Sequence, residues 1–411
     1  MLSFTELKLS EPLLRALEEA GYHTPTPIQQ QAIPAVLAGK DVMGCAQTGT
    51  GKTAAFLLPI VQQLLDRPPV SKADKKALRV LVLAPTRELA IQIGENAGIL
   101  TRFVPLTSMV VFGGVSVNNQ IEQIRKHPPQ ILIATPGRLL DLVGQKVLSL
   151  KEVQFLVLDE ADRMLEMGFI HDIRKVLQLL PPRRQTLMFS ATMPDNIRTL
   201  ANNILHHPVS VEVSPVSSTV VRIEQKIYPV EKANKVKLLV HLIKKFNPLN
   251  MIVFSRTKHG ADRIVRSLEK ERIFAAAIHS NKSQNARVNA LQHFKDGKIK
   301  VLVATDIASR GIDIQGLEYV VNYDIPADPE AYVHRIGRTG RAGADGKAFT
   351  FCAEDEWDLL QKINKLTKQE IPLETQHPYV IALEAPVVPE PVMKAPQKTG
   401  KRKPDRRRSR R

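Results

Sequence analysis

Short apolar runs rich in β-branched residues recur along this chain, and stretches with helical periodicity separate them. Arg79–Ala84, Ile131–Thr135, Phe155–Leu158 and Thr186–Phe189 form a first series. Ile227–Val230, Met251–Phe254, Ala275–Ile278, Val301–Ala304, Tyr319–Asn322 and Lys347–Phe351 form a second. Such runs suit strands buried on both faces, with the helices between them as cover, which is the pattern of a parallel sheet flanked by helices. The series occurs twice, so the expected fold is α/β with two similar domains in tandem. At 411 residues and 43% hydrophobic content, the chain is long and apolar enough to give each domain a core.

Val209–Thr219, rich in Ser, Val and Pro without helical period, reads as an extended connection. The expected division is therefore 1–208, a linker at 209–222, and 223–374. Beyond about 375, prolines and few aromatics predict disorder, and a basic run closes the chain. Of the net charge of +17, +9 lies between Lys394 and Arg411. Net charge of this sign attracts polyanions without choosing among them. Cys45 and Cys352 belong to no C-x-x-C pair, so neither a disulfide framework nor a zinc knuckle is indicated. Met1–Ser10 has no leader pattern, and no apolar run approaches the ~18 residues that cross a bilayer. The expectation is a cytoplasmic protein with no membrane contact.

The run Asp41-Val-Met-Gly-Cys-Ala46-Gln47-Thr48-Gly49-Thr50-Gly51-Lys52-Thr53 leads into the apolar stretch Ala54–Leu65. A loop of this kind offers successive backbone N–H groups and the positive end of a helix to phosphate oxygens. Lys52 adds an ammonium, and Thr53 adds a hydroxyl that suits Mg²⁺. Ala46 stands where the common pattern has its first glycine. About a hundred residues on, the apolar Phe155–Leu158 ends in Asp159-Glu160-Ala161-Asp162. A strand-terminal acid pair suits a nucleoside-triphosphatase: Asp159 holds Mg²⁺ largely through water, and Glu160 directs the attacking water. Asp162 also suits the start of a helix.

With Asp159-Glu-Ala-Asp162 in place, the chain resembles the DEAD-box helicases over residues 1 to about 370, and the remaining family motifs follow in order. The resemblance implies two tandem RecA-like domains with a disordered basic tail, and an ATP-dependent RNA helicase whose ATP hydrolysis RNA stimulates. Phe4 and Gly21-Tyr-His-Thr-Pro-Thr-Pro-Ile-Gln29 match the adenine-reading segment, with Gln29 pairing the base and Phe4 stacking on it. Pro85-Thr86-Arg87, Gly113-Gly114 and Thr135-Pro136-Gly137-Arg138 match RNA contacts of the first domain; the helix after Gly137-Arg138 is implied to bend one strand. Ser190-Ala-Thr192 matches the coupling motif, acting with Asp162 and His334. In the second domain Arg256, Gln284, Arg287, Thr305, Asp306 and Arg310 match RNA-binding positions, Asp313 the ribose contact, and Arg338 and Arg341 the arginine fingers. One departure is Ser280, where many relatives carry Gly after His279.

What this implies is an ATP-gated clamp. ATP and RNA together close two domains, uniting Lys52, Thr53, Asp159 and Glu160 with Arg338 and Arg341; hydrolysis then releases the RNA. Single-stranded and short duplex RNA are the implied partners, with little sequence choice and a monomeric core; ribosomal precursors and RNA-decay machinery both stay open. Two alternatives share these residues: an ATP-gated RNA clamp with little unwinding, and a DNA-directed helicase. Asp159-Glu-Ala-Asp-Arg-Met-Leu-Glu-Met-Gly-Phe169 and the basic tail look closest to the bacterial RhlE type. The tail Lys401–Arg411, with no aromatics, is expected to add salt-sensitive affinity without base selectivity.

Overall fold

The computed structural model describes residues 3–46, 49–67, 77–213, 223–306, 317–340 and 346–382. Their first part builds a sheet of seven parallel strands: β1 (Val42–Cys45), β2 (Val80–Leu83), β3 (Ser108–Val111), β4 (Ile131–Ala134), β5 (Phe155–Leu158), β6 (Gln185–Ser190) and β7 (Val209–Glu212). Their spatial order is β3-β4-β2-β5-β6-β1-β7. A second parallel sheet contains β8 (Ile223–Pro229), β9 (Met251–Phe254), β10 (Ala275–Ile278), β11 (Val301–Ala304), β12 (Tyr319–Asn322) and β13 (Gly346–Cys352), in the order β10-β11-β9-β12-β13-β8.

The central strands are apolar throughout because both of their faces are covered. In β2, Val80 and Val82 join the core on one side of the sheet, while Leu81 and Leu83 join the core on the other. Strand β9 repeats this in the second sheet, with Met251 and Val253 on one side and Ile252 and Phe254 on the other. Alternation of side chains along a strand makes that division unavoidable.

Two boundaries differ from the sequence expectation. Val209–Glu212 is a strand paired in parallel with β1, so the start of the expected linker belongs to the first sheet. Val211 is buried there, and β1 gains a partner on the side that β6 leaves open. Residues 214–222 lie outside the described residues. At the other end, packing runs past 374 to residue 381. Leu373 bridges Ile227 and Val380 bridges Val230; Ile227 N donates to Pro372 O, and Glu374 N donates to Ile227 O. The ring of His377 lies 5.5 Å from that of Tyr228. Strand β8 is the sheet edge, and these residues cover backbone groups that an edge leaves exposed. Residues 383–411, with the basic tail, lie outside the described residues.

A buried ion pair fixes one side of the second domain. Lys235 Nζ lies 2.6 Å from Glu356 Oε2, with side chains 2% and 4% exposed, and Glu356 Oε1 accepts from Arg256 Nη2. Glu356→Ala would leave the buried lysine only the more distant Asp324 Oδ1, at 3.8 Å, so it is expected to destabilise this domain by about 3–5 kcal/mol. Denaturant unfolding checks this, and a loss below about 1 kcal/mol, the scale of an exposed pair, would contradict it.

Candidate active site and nucleic-acid interface

The strand order divides the first sheet into two working edges. Strands β5, β6 and β1 are neighbours, so their carboxyl ends bring Asp159, Ser190 and the phosphate loop together. Strands β3, β4 and β2 are neighbours on the other half, and their ends unite Gly113-Gly114, Thr135–Arg138 and Pro85–Arg87. Ligands of open parallel sheets bind at the carboxyl ends of the strands.

On the first edge lies a 620 Å³ cleft. Gly49, Gly51, Lys52 and Thr53 form its phosphate-loop wall, and Asp159 and Glu160 stand opposite. Lys52 begins the helix Lys52–Asp66, is buried, and donates from Nζ to Ala46 O at 2.8 Å. The loop needs glycine at 51, where φ is +91° and an added Cβ would lie 2.5 Å from Gln29 Nε2. Gln29 is buried: its Oε1 accepts from Thr26 N, and its Nε2 donates to Gly51 O at 3.1 Å. The amide therefore braces the phosphate loop, while a second N–H and a second lone pair are left for a base. Phe4 does not line this cleft but packs in the core, 5% exposed. Its ring ties the segment before Leu7 and Leu9 to that core, and the aromatics lining the cleft are the exposed Tyr22 and the buried Phe294.

Asp159 is 2% exposed, and burial pushes its carboxyl up to about 6; Lys52 opposes the shift and Glu160 adds to it. A carboxylate so poorly solvated gains much from a cation, and Thr53 lines the same cleft, so this pair fits Mg²⁺. Glu160 has the left-handed backbone φ 51°, ψ 54° and pairs through Oε2 with Arg163 Nη1 at 2.9 Å, both side chains buried. Sequence reading missed Arg163, whose place one helical turn on is its only signal. Asp162 accepts from Ala191 N, Thr192 N and Thr192 Oγ1, and its N–H donates to Ser190 Oγ at 3.2 Å. These bonds close the coupling motif onto the acidic turn within the first domain. His334 stands exposed on the helix Pro329–Ile336.

The second edge carries a 540 Å³ groove. Pro85, Thr86, Arg87, Gly113, Thr135, Gly137 and Arg138 line it from the first domain, and Ser280, Lys282 and Arg287 from the second. Thr86 caps the helix Arg87–Leu100, accepting from Leu89 N. Gly114, at φ +77°, lets the Arg87 guanidinium pass 2.2 Å from where a Cβ would stand. Arg138 donates to Gln120 Oε1 and Val115 O, so it also ties the glycine turn in place. Pro136 is the first residue of the helix Pro136–Gly144, and no heavy atom lies within 4 Å of a Cβ built at Gly137.

Elsewhere in the second domain the expected contacts separate. Asp306 is committed to Arg335, with Nε–Oδ1 at 2.6 Å and Nη2–Oδ2 at 2.7 Å. Both of its carboxylate oxygens are thereby engaged by a guanidinium that is 2% exposed. Arg256 holds Ile325 O and Glu356 while half-exposed. Thr305 N donates to Ile278 O. Arg338 is 8% exposed and does not line the cleft, although its carbonyl accepts from Leu317 N, and Leu317 does. Gln47, Thr48, Arg310, Asp313 and Arg341 lie outside the described residues. Asn250, Phe294, Lys295 and Leu317 line the cleft from the second domain, and no local motif marks them.

The chain matches the model of the DEAD/DEAH box helicase over residues 26–200 and that of the helicase conserved C-terminal domain over 234–343. It is 44% identical to the ATP-dependent RNA helicase CshA of Listeria monocytogenes over 373 residues, 90% of this chain and 70% of that one. With the CshA helicase of Geobacillus kaustophilus it shares 44% over 371 residues, 90% of this chain and 78% of that one. The structure of S. cerevisiae Dbp5 bound to RNA and ADP BeF3 superposes with a TM-score of 0.80 at 32% identity, covering 90% of this chain and 95% of that one. Both relatives are named CshA, and the kinship they carry is with the DEAD-box helicases as a family.

Proposed function

The chain belongs to the DEAD-box ATP-dependent RNA helicases, and from that membership we propose how its own residues divide the work. It is an RNA-stimulated ATPase that binds RNA and uses the nucleotide to separate or remodel it. In our reading the cleft at the ends of β5, β6 and β1 takes ATP. Gly49, Thr50, Gly51 and the flanking Ala46, Gln47 and Thr48 cradle the phosphates, Lys52 neutralises them, and Gln29 presents its remaining N–H and lone pair to adenine. Tyr22, not the buried Phe4, is the aromatic available to the base, and Asp313 is assigned to the ribose. Thr53 and Asp159 would hold Mg²⁺, largely through water, and its charge would stabilise the phosphoryl group in transfer. Glu160 takes the proton of the attacking water.

One observation carries this reading: residues of both domains line both sites. Whatever fills one site favours the arrangement that completes the other, so RNA that aids closure must also tighten ATP. In the groove, Arg87, Arg138 and Lys282 face phosphates, while Thr86, Thr135 and Gly137 offer hydroxyls, an open helix start and close approach. The physiological setting we propose is the cytoplasm, with a monomeric core acting on single-stranded and short duplex RNA such as ribosomal precursors or decay substrates. No described helix is long and apolar enough to cross a membrane.

ATP turnover with matched RNA and DNA oligonucleotides tests the reading. RNA is expected to stimulate turnover and lower the ATP KM, and DNA to do so weakly. Lys52→Ala is expected to weaken ATP binding roughly 10- to 100-fold, the scale of lost charge-assisted hydrogen bonds. Equal stimulation by DNA would reassign the groove, and wild-type ATP affinity in Lys52→Ala would remove the phosphate loop from the account.

A further inference from the structure

The departure at Ser280 falls inside the groove, and no assignment above uses it. Ser280 follows β10 in a turn that is closed by Lys282 N donating to His279 O at 3.0 Å. Its φ does not lie in the left-handed region, so the backbone there does not call for glycine. The residues on either side pin the turn to the helix Lys258–Lys270. His279, 2% exposed, brings Nε2 to 3.0 Å from Asp262 Oδ1, and Lys282 Nζ lies 3.0 Å from the same oxygen. Lys258 Nζ donates to Asn281 Oδ1 at 3.0 Å. Ser283 caps the helix Gln284–Lys295 by accepting from Ala286 N.

In the run His279–Ser283, only Ser280 has a side chain without a partner among the described residues, and it is exposed where it lines the groove. The other hydroxyls of the groove wall, Thr86 and Thr135, are each 8% exposed, and Thr86 is engaged by Leu89 N. The cations of the wall only donate. Arg287 pairs with Glu88 Oε1 at 2.9 Å, while Arg87, Arg138 and Lys282 suit phosphate oxygens, which only accept. A hydroxyl differs, because it both donates and accepts. That makes it the complement of a ribose 2′-hydroxyl, the group by which a protein tells RNA from DNA at a given site. A short side chain on a pinned turn also loses little freedom when it binds.

We propose that Ser280 Oγ hydrogen-bonds a ribose 2′-hydroxyl of the bound strand, which makes Ser280 a specificity-determining residue favouring RNA over DNA. The inference rests on the proposed function, in which the groove binds RNA. The full chain is compared with Ser280→Ala, which keeps the Cβ and removes only the hydroxyl, and with Ser280→Gly, which removes both. Affinity is measured for oligouridylate, for its all-2′-deoxy counterpart, and for a series carrying one 2′-deoxy position at a time, with a non-hydrolysable ATP analogue present. Both variants are expected to bind the RNA about 2- to 10-fold more weakly, the scale of one neutral hydrogen bond, and the deoxy strand as the parent does. In the single-deoxy series, one position that weakens binding to the parent is expected to cost nothing further in Ser280→Ala. Equal losses on the RNA and the deoxy strand would make the contact one to phosphate and overturn the proposal. Parental RNA affinity in Ser280→Ala would overturn it too, and so would tighter RNA binding by Ser280→Gly, which would make the side chain an obstruction. A parent that holds both strands equally well would instead sink the proposed function, before any variant is compared.

Discussion

Glu160→Gln is expected to bind ATP and RNA as the parent does while turning ATP over about 10²- to 10⁴-fold more slowly, the usual contribution of a positioned general base. The side chain is nearly isosteric, so the packing around a residue that is 4% exposed should survive. What is lost is the capacity to accept a proton. The position is also constrained in its backbone: Glu160 holds a left-handed conformation at the turn from β5 into the helix Ala161–Glu166, and a non-glycine residue there costs on the order of 1–3 kcal/mol. Its carboxylate is aimed by Arg163 at 2.9 Å, and its N–H donates to Asp159 Oδ1 at 3.0 Å. Because hydrolysis resets the clamp, the variant should also retain RNA in the presence of ATP far longer than the parent. Single-turnover hydrolysis and RNA dissociation rates measure both effects. Near-parental turnover would remove Glu160 from the role.

Arg338→Ala is expected to depress turnover by roughly 10³- to 10⁵-fold, the range for an inserted arginine in phosphoryl transfer, while ATP affinity changes little. Its backbone is already beside the cleft, since its carbonyl accepts from Leu317 N and Leu317 lines the cleft wall. The side chain itself is buried and stands away from the lining, so the proposed contribution requires it to reach the cleft when RNA is bound. The split between kcat and KM is therefore the diagnostic measurement. A turnover number within a few-fold of the parent would leave Arg338 a structural residue of the second domain.

How much of this was legible beforehand depended on the kind of signal. The strands β5, β9, β11 and β12 run where the apolar runs place them, because a strand covered on both faces has few polar alternatives in its sequence. Strand β3 was missed: Ser108, Met109 and Val110 are only half-buried, since β3 is an edge strand, so its run is less distinct. Strand β7 was read as linker for the same reason, with Val211 its single buried residue. Local motifs singled out Lys52, Thr53, Asp159 and Glu160, which the structure gathers around one cleft. They did not foresee that Phe4 packs in the core or that Asp306 pairs with Arg335, because a residue type does not say whether it faces a ligand, the core or a buried arginine.

By itself the sequence determined that this chain makes two parallel α/β domains, with a phosphate loop and a strand-terminal acid pair in the first. Periodicity and short-range spacing carry that information, and both are properties of neighbouring residues. The order of strands is not such a property. Only the tertiary structure set β5, β6 and β1 side by side at the cleft, and β3, β4 and β2 at the groove. Only it brought Asn250, Lys295 and Leu317 to the cleft and joined Glu88 to Arg287, 199 positions apart in sequence. Contacts of that separation arise from how helices and sheets pack, and no local pattern encodes them.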